Sequence, residues 1–279
     1  MPLALITGAN TGLGFETARG LLALGYGVVI TSRNLERGDK AVARLISEYP
    51  NGQISALGLD LSNQSSVRAF APSFAQVHKK WDVLVLNAGA KVLSSYQETD
   101  SGIEYHFGVN AVGHFKLVGH LLPHRAPVSR VVSVSSIVAR FAPRELGPAG
   151  SPLSYSAGAS YSASKLSNYL FAMELQNKFG SASFSSLAAH PGFARAEPYG
   201  PKSTRFFESF MAQSAAQGAL PIIEAASDGS LPGGSYRVPR IHELWGKPTE
   251  GIVPKITSRQ SLEKNWEILE TLSGKYLAL

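Results

Sequence analysis

The chain has 279 residues, 44% of them hydrophobic and 16% charged, with 27 glycines and no cysteine. A charged share below the usual ~25% describes a chain that buries a large core rather than a disordered one, and the lack of cysteine excludes disulfides and thiol catalysis. The net charge of +6 is scattered rather than gathered into basic runs, so no nucleic-acid partner is expected, and a modest positive field suits an anionic cofactor.

Residues 3–7 form a short apolar run stopped by Gly8, the pattern of a buried strand. Residues 13–24 carry Leu13, Ala18, Leu21 and Leu22 at helical spacing and stop at Gly25, which can take the left-handed position after a helix. Residues 28–31 predict a second strand, Asn34 caps a helix to about Glu48, and residues 54–59 predict a third strand. Ser62 is expected to cap a helix bearing Val67, Phe70 and Phe74. A strand at 83–86 runs into Asn87-Ala88-Gly89, a helical region follows at 103–122, and 131–134 is a β-branched strand. After a loop at 142–158, a long helix is expected over 161–179, closed by Gly180. A strand at 184–189 leads to His190-Pro191-Gly192, residues 228–234 read as a connector, and 258–272 as a last helix. Strands alternating with helices predict right-handed βαβ units: a doubly wound, mainly parallel sheet with helices on both faces, in three layers, as a single domain over residues 1–279. No apolar run reaches the ~18 residues of a membrane span. The opening MPLALITGAN lacks the basic region of a signal peptide, which makes the cytoplasm the expected location.

The turn after the first strand reads TGANTGLG, with Gly8, Gly12 and Gly14 where strand becomes helix. Without Cβ atoms, backbone N–H groups and the helix N-terminus can approach a pyrophosphate. That placement separates a dinucleotide site from a glycine-rich turn without ligand, and Asn10, Thr11 and Leu13 complete the cofactor-binding turn. At the end of the second strand, where NAD-binding turns carry an acid, VVITSRN offers Ser32 and Arg33 and no carboxylate before Glu36. A guanidinium grips a 2′-phosphate that a carboxylate would repel, so NADP(H) is expected over NAD(H); the other reading of Arg33 is a solvated surface side chain.

Residues 151–170, SPLSYSAGASYSASKLSNYL, hold Tyr155, Tyr161 and Tyr169. Only Tyr161 has a lysine four residues on, Lys165, and on a helix this pair shares one face. A phenol near its usual pKa of about 10 is a poor catalyst at neutral pH; a neighbouring ammonium and an oxidised nicotinamide favour the phenolate. Tyr155 is left for a pocket lip and Tyr169 for helix packing.

With LDLS (59–62), LNAG (86–89), VNAVGHF (109–115), VVSVSS (131–136), YSASK (161–165) and HPG (190–192), the chain resembles the short-chain dehydrogenases/reductases over residues 3 to about 195. It looks most like the subgroup of retinol dehydrogenases and protochlorophyllide-reductase-like proteins. The resemblance implies a Rossmann-type fold and hydride transfer between a nicotinamide and a carbonyl or alcohol on a small to medium apolar substrate. It makes Tyr161 the proton donor and Lys165 the holder of the ribose hydroxyls. Of Ser135 and Ser136, the resemblance favours Ser136 as the hydroxyl that would polarise the carbonyl, leaving Ser135 as a strand-end structural residue. Asn110 is then tied to a helix irregularity and a bound water; a buried hydrogen bond joining two elements is its other, compatible reading. Asp60 and Leu61 would line the adenine, with a helix-start role as the alternative for Asp60. Asn87, Ala88 and Gly89 would pack beside the cofactor, and Pro191 and Gly192 beside its carboxamide.

The chain departs from the subgroup at Ala196, often threonine, a loss of about 1 kcal/mol of hydrogen bonding, for which Arg195 is a candidate replacement. Residues 193–217, with Tyr199, Phe206, Phe207, Phe210 and Met211, are expected either to cover the substrate or to belong to the core. Relatives are often dimers or tetramers, which makes a homo-oligomer an open expectation. His106, His114, His120 and His124 lack the acidic partner of a HExxH site, so no metal is expected, and no G-x-S-x-G elbow supports serine hydrolysis. Two other readings use the same scaffold. One is a catalytically silent NADP(H)-binding regulatory protein, which would not need Ser136, Tyr161 and Lys165 together. The other is an epimerase/dehydratase, which usually shows a Gly-x2-Gly-x2-Gly turn and a longer C-terminal region.

Overall fold

The computed structural model describes residues 1–90, 93–194 and 212–274. Its first half alternates strictly: β1 (Leu3–Ile6), α1 (Gly12–Ala23), β2 (Gly27–Ser32), α2 (Leu35–Glu48), β3 (Ile54–Gly58), α3 (Gln64–Val77) and β4 (Trp81–Leu86). Next come α4 (Tyr105–Phe107), a π-helical turn (Gly108–Gly113), α5 (His114–Leu121), β5 (Arg125–Val134), α6 (Ala157–Phe179) and β6 (Phe184–Ala189). The chain then gives α7 (Ala215–Ser227), the hairpin β7 (Tyr236–Ile241) and β8 (Trp245–Glu250), and α8 (Arg259–Ser273).

The strands lie in the order β3-β2-β1-β4-β5-β6-β7-β8, all neighbours parallel except antiparallel β7 and β8. Alternate side chains of the central strands enter opposite cores, as the period of a strand requires. Leu5, Leu84 and Val131 pack with Phe74, Phe115 and Trp266 on one face. Their neighbours Ile6, Val85 and Val132 pack with Phe15, Leu45 and Ile222 on the other. The result is the Rossmann-type three-layer arrangement. Between β1 and β4 the strand order reverses, which leaves a crevice outside their carboxyl ends.

Several local expectations need correction. Asn63, not Ser62, caps α3, its side chain accepting the Ser66 N–H at 2.9 Å. Ser62 instead donates its hydroxyl proton to Asp60 at 2.6 Å. The long helix begins four residues earlier than expected, at Ala157, because the Ser156 side chain caps it; Gly158 sits inside its first turn rather than in the loop. Neither β7 nor β8 is marked in the sequence. Pro239 and Pro248 interrupt their pattern, which an edge hairpin tolerates and a central strand does not.

Candidate active site

A cleft of about 790 Å³ opens at the crevice, and its floor is the glycine turn. Gly8, at φ +63°, leaves no room for a side chain: an added Cβ would lie 2.8 Å from Ala88. Gly14 is packed as tightly, against the Asn87 side chain and the Ala9 backbone. Gly12 differs, since a Cβ there would meet nothing within 4 Å, and it lines the cleft with Asn10, Thr11 and Leu13. Thr11 begins α1 in extended conformation, its side chain makes no capping hydrogen bond, and the first turn carries no acid. Uncapped amides at a positive helix end fit an anion such as a pyrophosphate.

Asn87 ties this turn to β4. Its amide side chain donates to the Thr7 carbonyl at 2.8 Å and the Gly8 carbonyl at 3.2 Å. The Thr7 hydroxyl accepts the N–H groups of Asn87 and Ala88, each at 2.9 Å, and lies 2.9 Å from His114 Nε2. His114 Nδ1 faces the Asn110 carbonyl at 2.9 Å. A carbonyl only accepts, so Nδ1 carries the proton and Nε2 receives the threonine's. Full burial holds His114 neutral, its pKa lowered to about 4.

At the far end of the cleft, Arg33 lines the wall with Arg37, Asp60 and Leu61. Tyr105 accepts a hydrogen bond from Arg33 Nη1 at 3.1 Å, which aims the guanidinium. Ser32 is the exception among the expected cofactor residues at this end. Its hydroxyl is buried and donates to the Asn34 carbonyl at 2.7 Å, closing the turn into α2, and it does not reach the cleft. Asp60 lines the cleft and accepts from the Ser62 N–H and hydroxyl, but it does not start the helix, because the cap of α3 is Asn63. Sequence reasoning missed Arg37 and Tyr105. Arg37 carried a signal, since it sits in the first turn of a helix whose cap, Asn34, directly follows Arg33. Tyr105 carried none, because it meets Arg33 only in the fold.

Ser136, Tyr161 and Lys165 come together on the opposite wall with Val134 and Gly89. Burial pushes the Tyr161 phenol up, and a hydrogen bond with the Ser136 side chain pulls it down. Ser136 itself caps the short turn Ile137–Phe141. Ser135 also borders the cleft, but its hydroxyl is committed to the Lys165 carbonyl at 2.7 Å. The Lys165 side chain lies 4% exposed, with Nζ donating to the Val134 carbonyl at 3.1 Å and 5.8 Å from the Tyr161 ring centre. Burial lowers its pKa to about 8.

Asn110 stands behind this wall rather than on it. It lies within the π-helical turn, fully buried, accepting the Ala90 N–H at 2.7 Å and donating to Ser164 at 2.9 Å. It thereby joins the β4 loop to α6. Tyr155 approaches His106 at 3.3 Å, and His106 packs edge-on against Tyr161 at 5.9 Å. Tyr169 packs against Tyr236 at 4.9 Å, inside the core. Pro191 lines the cleft, whereas Gly192 turns its N–H back to His190 at 2.9 Å and does not. Arg195, Ala196, Tyr199, Phe206, Phe207, Phe210 and Met211 lie outside the described residues.

A family model described as short chain dehydrogenase matches residues 2–201. The chain belongs to the short-chain dehydrogenase/reductase family. Within that family it falls in the retinol dehydrogenase-like subgroup. It is 34% identical to human Retinol dehydrogenase 12 over 281 aligned positions, which cover 98% of this chain and 86% of that one. The crystal structure of a putative uncharacterized protein from Mycobacterium Paratuberculosis shares 32% identity at a TM-score of 0.81, covering 100% and 96% of the two chains. An NADPH-bound short chain oxidoreductase from Pseudomonas aeruginosa PAO1 shares the fold, at 21% identity and a TM-score of 0.66 over 84% of this chain and 93% of that one. A short-chain dehydrogenase/reductase is an NAD(P)-dependent oxidoreductase, and a site with a glycine turn at one end and Tyr161 with Lys165 at the other fits that class.

Proposed function

We propose that the protein interconverts a carbonyl and an alcohol on a small to medium apolar substrate, with NADP(H) as its cofactor and Tyr161 as the acid–base. The observation that carries this reading is the single cleft shared by the phosphate turn, the pair Arg33 and Arg37, and the trio Ser136, Tyr161 and Lys165. Gly8, Gly12 and the N-terminus of α1 would hold the pyrophosphate. Arg33, aimed by Tyr105, and Arg37 would grip the 2′-phosphate. Asp60 and Leu61 would flank the adenine, and Asn87, Ala88, Gly89 and Pro191 the nicotinamide half. When bound, the nicotinamide supplies or accepts the hydride.

The chain's own groups handle the proton. In the reducing direction Tyr161 must start protonated, and burial keeps it so. The Ser136 hydroxyl and the Tyr161 phenol both donate to the substrate oxygen, where negative charge develops. Lys165, a buried cation one helical turn from Tyr161, stabilises the phenolate left behind. Asn110 keeps the helix carrying this pair in register with the β4 loop.

The human relative's name makes retinaldehyde the first substrate to try, beside a panel of aldehydes, ketones and quinones with NADPH. Tyr161→Phe should abolish turnover and leave the NADP+ dissociation constant within about twofold, because the phenol acts on the substrate rather than on the phosphates. Retained turnover in the variant would sink the assignment. NADPH binding without turnover across the whole panel would favour the regulatory reading instead.

A further inference from the structure

The turn at Pro191-Gly192 is braced from behind by a hairpin whose own turn is strained. Between β7 and β8, His242 and Glu243 adopt φ of 51° and 59°, a region that such turns ordinarily give to Asn and Gly. This backbone delivers the Glu243 carboxylate, 6% exposed, to His190. One carboxylate oxygen lies 3.2 Å from His190 Nε2. The other accepts from Arg140 at 2.5 Å and from the Ile252 N–H at 2.7 Å.

His190 is fully buried and uses both ring nitrogens. Its Nδ1 lies 2.9 Å from the Gly192 amide, which can only donate. Nδ1 therefore carries the lone pair, and Nε2 carries the proton and gives it to Glu243. A single tautomer satisfies both bonds. The hairpin adds a second tie, with the Leu244 carbonyl accepting the Phe193 N–H at 3.1 Å. Gly192, at φ +68°, packs so closely that a Cβ would stand 2.4 Å from that same carbonyl.

We propose that His190 and Glu243 are positioning residues for the reactive end of the cofactor: Glu243 fixes the His190 tautomer, His190 fixes the Gly192 amide, and the Pro191-Gly192 turn is thereby set against the nicotinamide. This rests on the nicotinamide reading given above. The brace needs a neutral imidazole, because a protonated Nδ1 cannot accept from Gly192. Three groups face the ring: Glu243 from the hairpin turn, Arg140 from the turn after β5, and Tyr236 from β7, whose ring lies 5.6 Å away. Burial and Arg140 favour the neutral ring, and Glu243 opposes them. The brace is thus in place at neutral pH and released as the pH falls below the ordinary histidine range.

The test uses the full chain as wild type, His190→Asn, His190→Ala and Glu243→Gln. An asparagine Oδ1 can take the place of Nδ1 and accept from Gly192 without titrating. Three quantities are read: the protection factor of the Gly192 amide proton without cofactor, the NADP+ dissociation constant, and kcat for reduction of retinaldehyde by NADPH. Gly192 should be protected in wild type at neutral pH and lose protection on acidification. His190→Asn should keep protection at both pH values and keep kcat within about threefold. His190→Ala should lose protection, with kcat falling on the order of tenfold or more at a similar melting temperature. Equal behaviour of the Asn and Ala variants would overturn the proposal. Wild-type protection in Glu243→Gln would remove Glu243 from it, and reduced protection would keep it in. Wild-type protein that fails to bind NADP+ removes the nicotinamide reading and this proposal together, while the amide measurement still reports on the brace by itself.

Discussion

Lys165 shows the conflict that a buried catalytic cation sets up. The side chain is almost without solvent, and burial lowers its pKa to about 8, yet the proposed chemistry needs its charge. Below that pH the ammonium is present and can stabilise a Tyr161 phenolate; above it the proton is lost. Carbonyl reduction should therefore decline as pH rises through about 8, read as kcat against pH with NADPH saturating. His114 makes the complementary case for stability. Its folded pKa, about 4, lies below the ordinary 6.5, so between those values the unfolded chain binds more protons than the folded one. Stability is whole above pH 6.5 and falls as the pH drops toward 4, by up to a few kcal/mol. Melting temperatures measured across that window should slope downward, and His114→Gln should flatten the slope. At the adenosine end, Arg33→Asp should move cofactor preference toward NADH, since a carboxylate repels the 2′-phosphate and accepts ribose hydroxyls. Unchanged preference would assign the 2′-phosphate to Arg37 alone or to neither.

Among the elements, legibility followed the physics of each. The central parallel strands could be read because burial on both faces demands continuous apolar runs, as in Val28–Ile30 and Val83–Leu86. The glycine turn could be read because sterics leave few residues for it. The π-helical turn around Asn110 could be reached only through family resemblance, since Gly108–Gly113 has no periodicity that separates π from α. The β7–β8 hairpin was missed because its prolines and polar positions are those of an edge, and its strained turn lacks the Asn-Gly signal. His190 and Glu243, 53 positions apart, therefore stayed separate until the fold joined them. The glycine turn itself divides into two tasks that substitution can separate. A Gly14→Ala side chain would lie 2.5 Å from Asn87 Nδ2 and 2.8 Å from the Ala9 Cα. It should lower stability by about 1–3 kcal/mol through overpacking. Gly12→Ala meets open space but keeps φ +58°; it should cost less stability and weaken NADP+ binding more, because its methyl enters the cleft. Thermal melts beside binding titrations would resolve the two.

Across the whole molecule, α8 ties the catalytic wall to the core, with Trp266 at the centre of the contact. Trp266 of α8 packs edge-on against Phe115 at 5.1 Å, stacks with Phe171 at 5.9 Å and meets Phe179 at 6.0 Å. Phe115 follows His114 on α5, while Phe171 and Phe179 ride on α6, the helix that carries Tyr161 and Lys165. Asn265, next to Trp266, donates to the Ser167 carbonyl of α6 at 3.3 Å. Removing the indole would leave a cavity between the two helices that hold the site. Trp266→Ala should cost about 3–5 kcal/mol, a large part of the margin of an ordinary domain. The loss should be graded at the site as well, because α6 would keep its strand contacts while losing its outer support. A bound cofactor opposes unfolding by mass action, worth about 2.7 kcal/mol at a hundred times its dissociation constant. Saturating NADP+ should therefore recover much of the variant's lost melting temperature, provided the glycine turn, on the other side of the crevice, is undisturbed. A variant that melts low and gains nothing from NADP+ would mean that α8 supports the cofactor site as well as the wall bearing Tyr161.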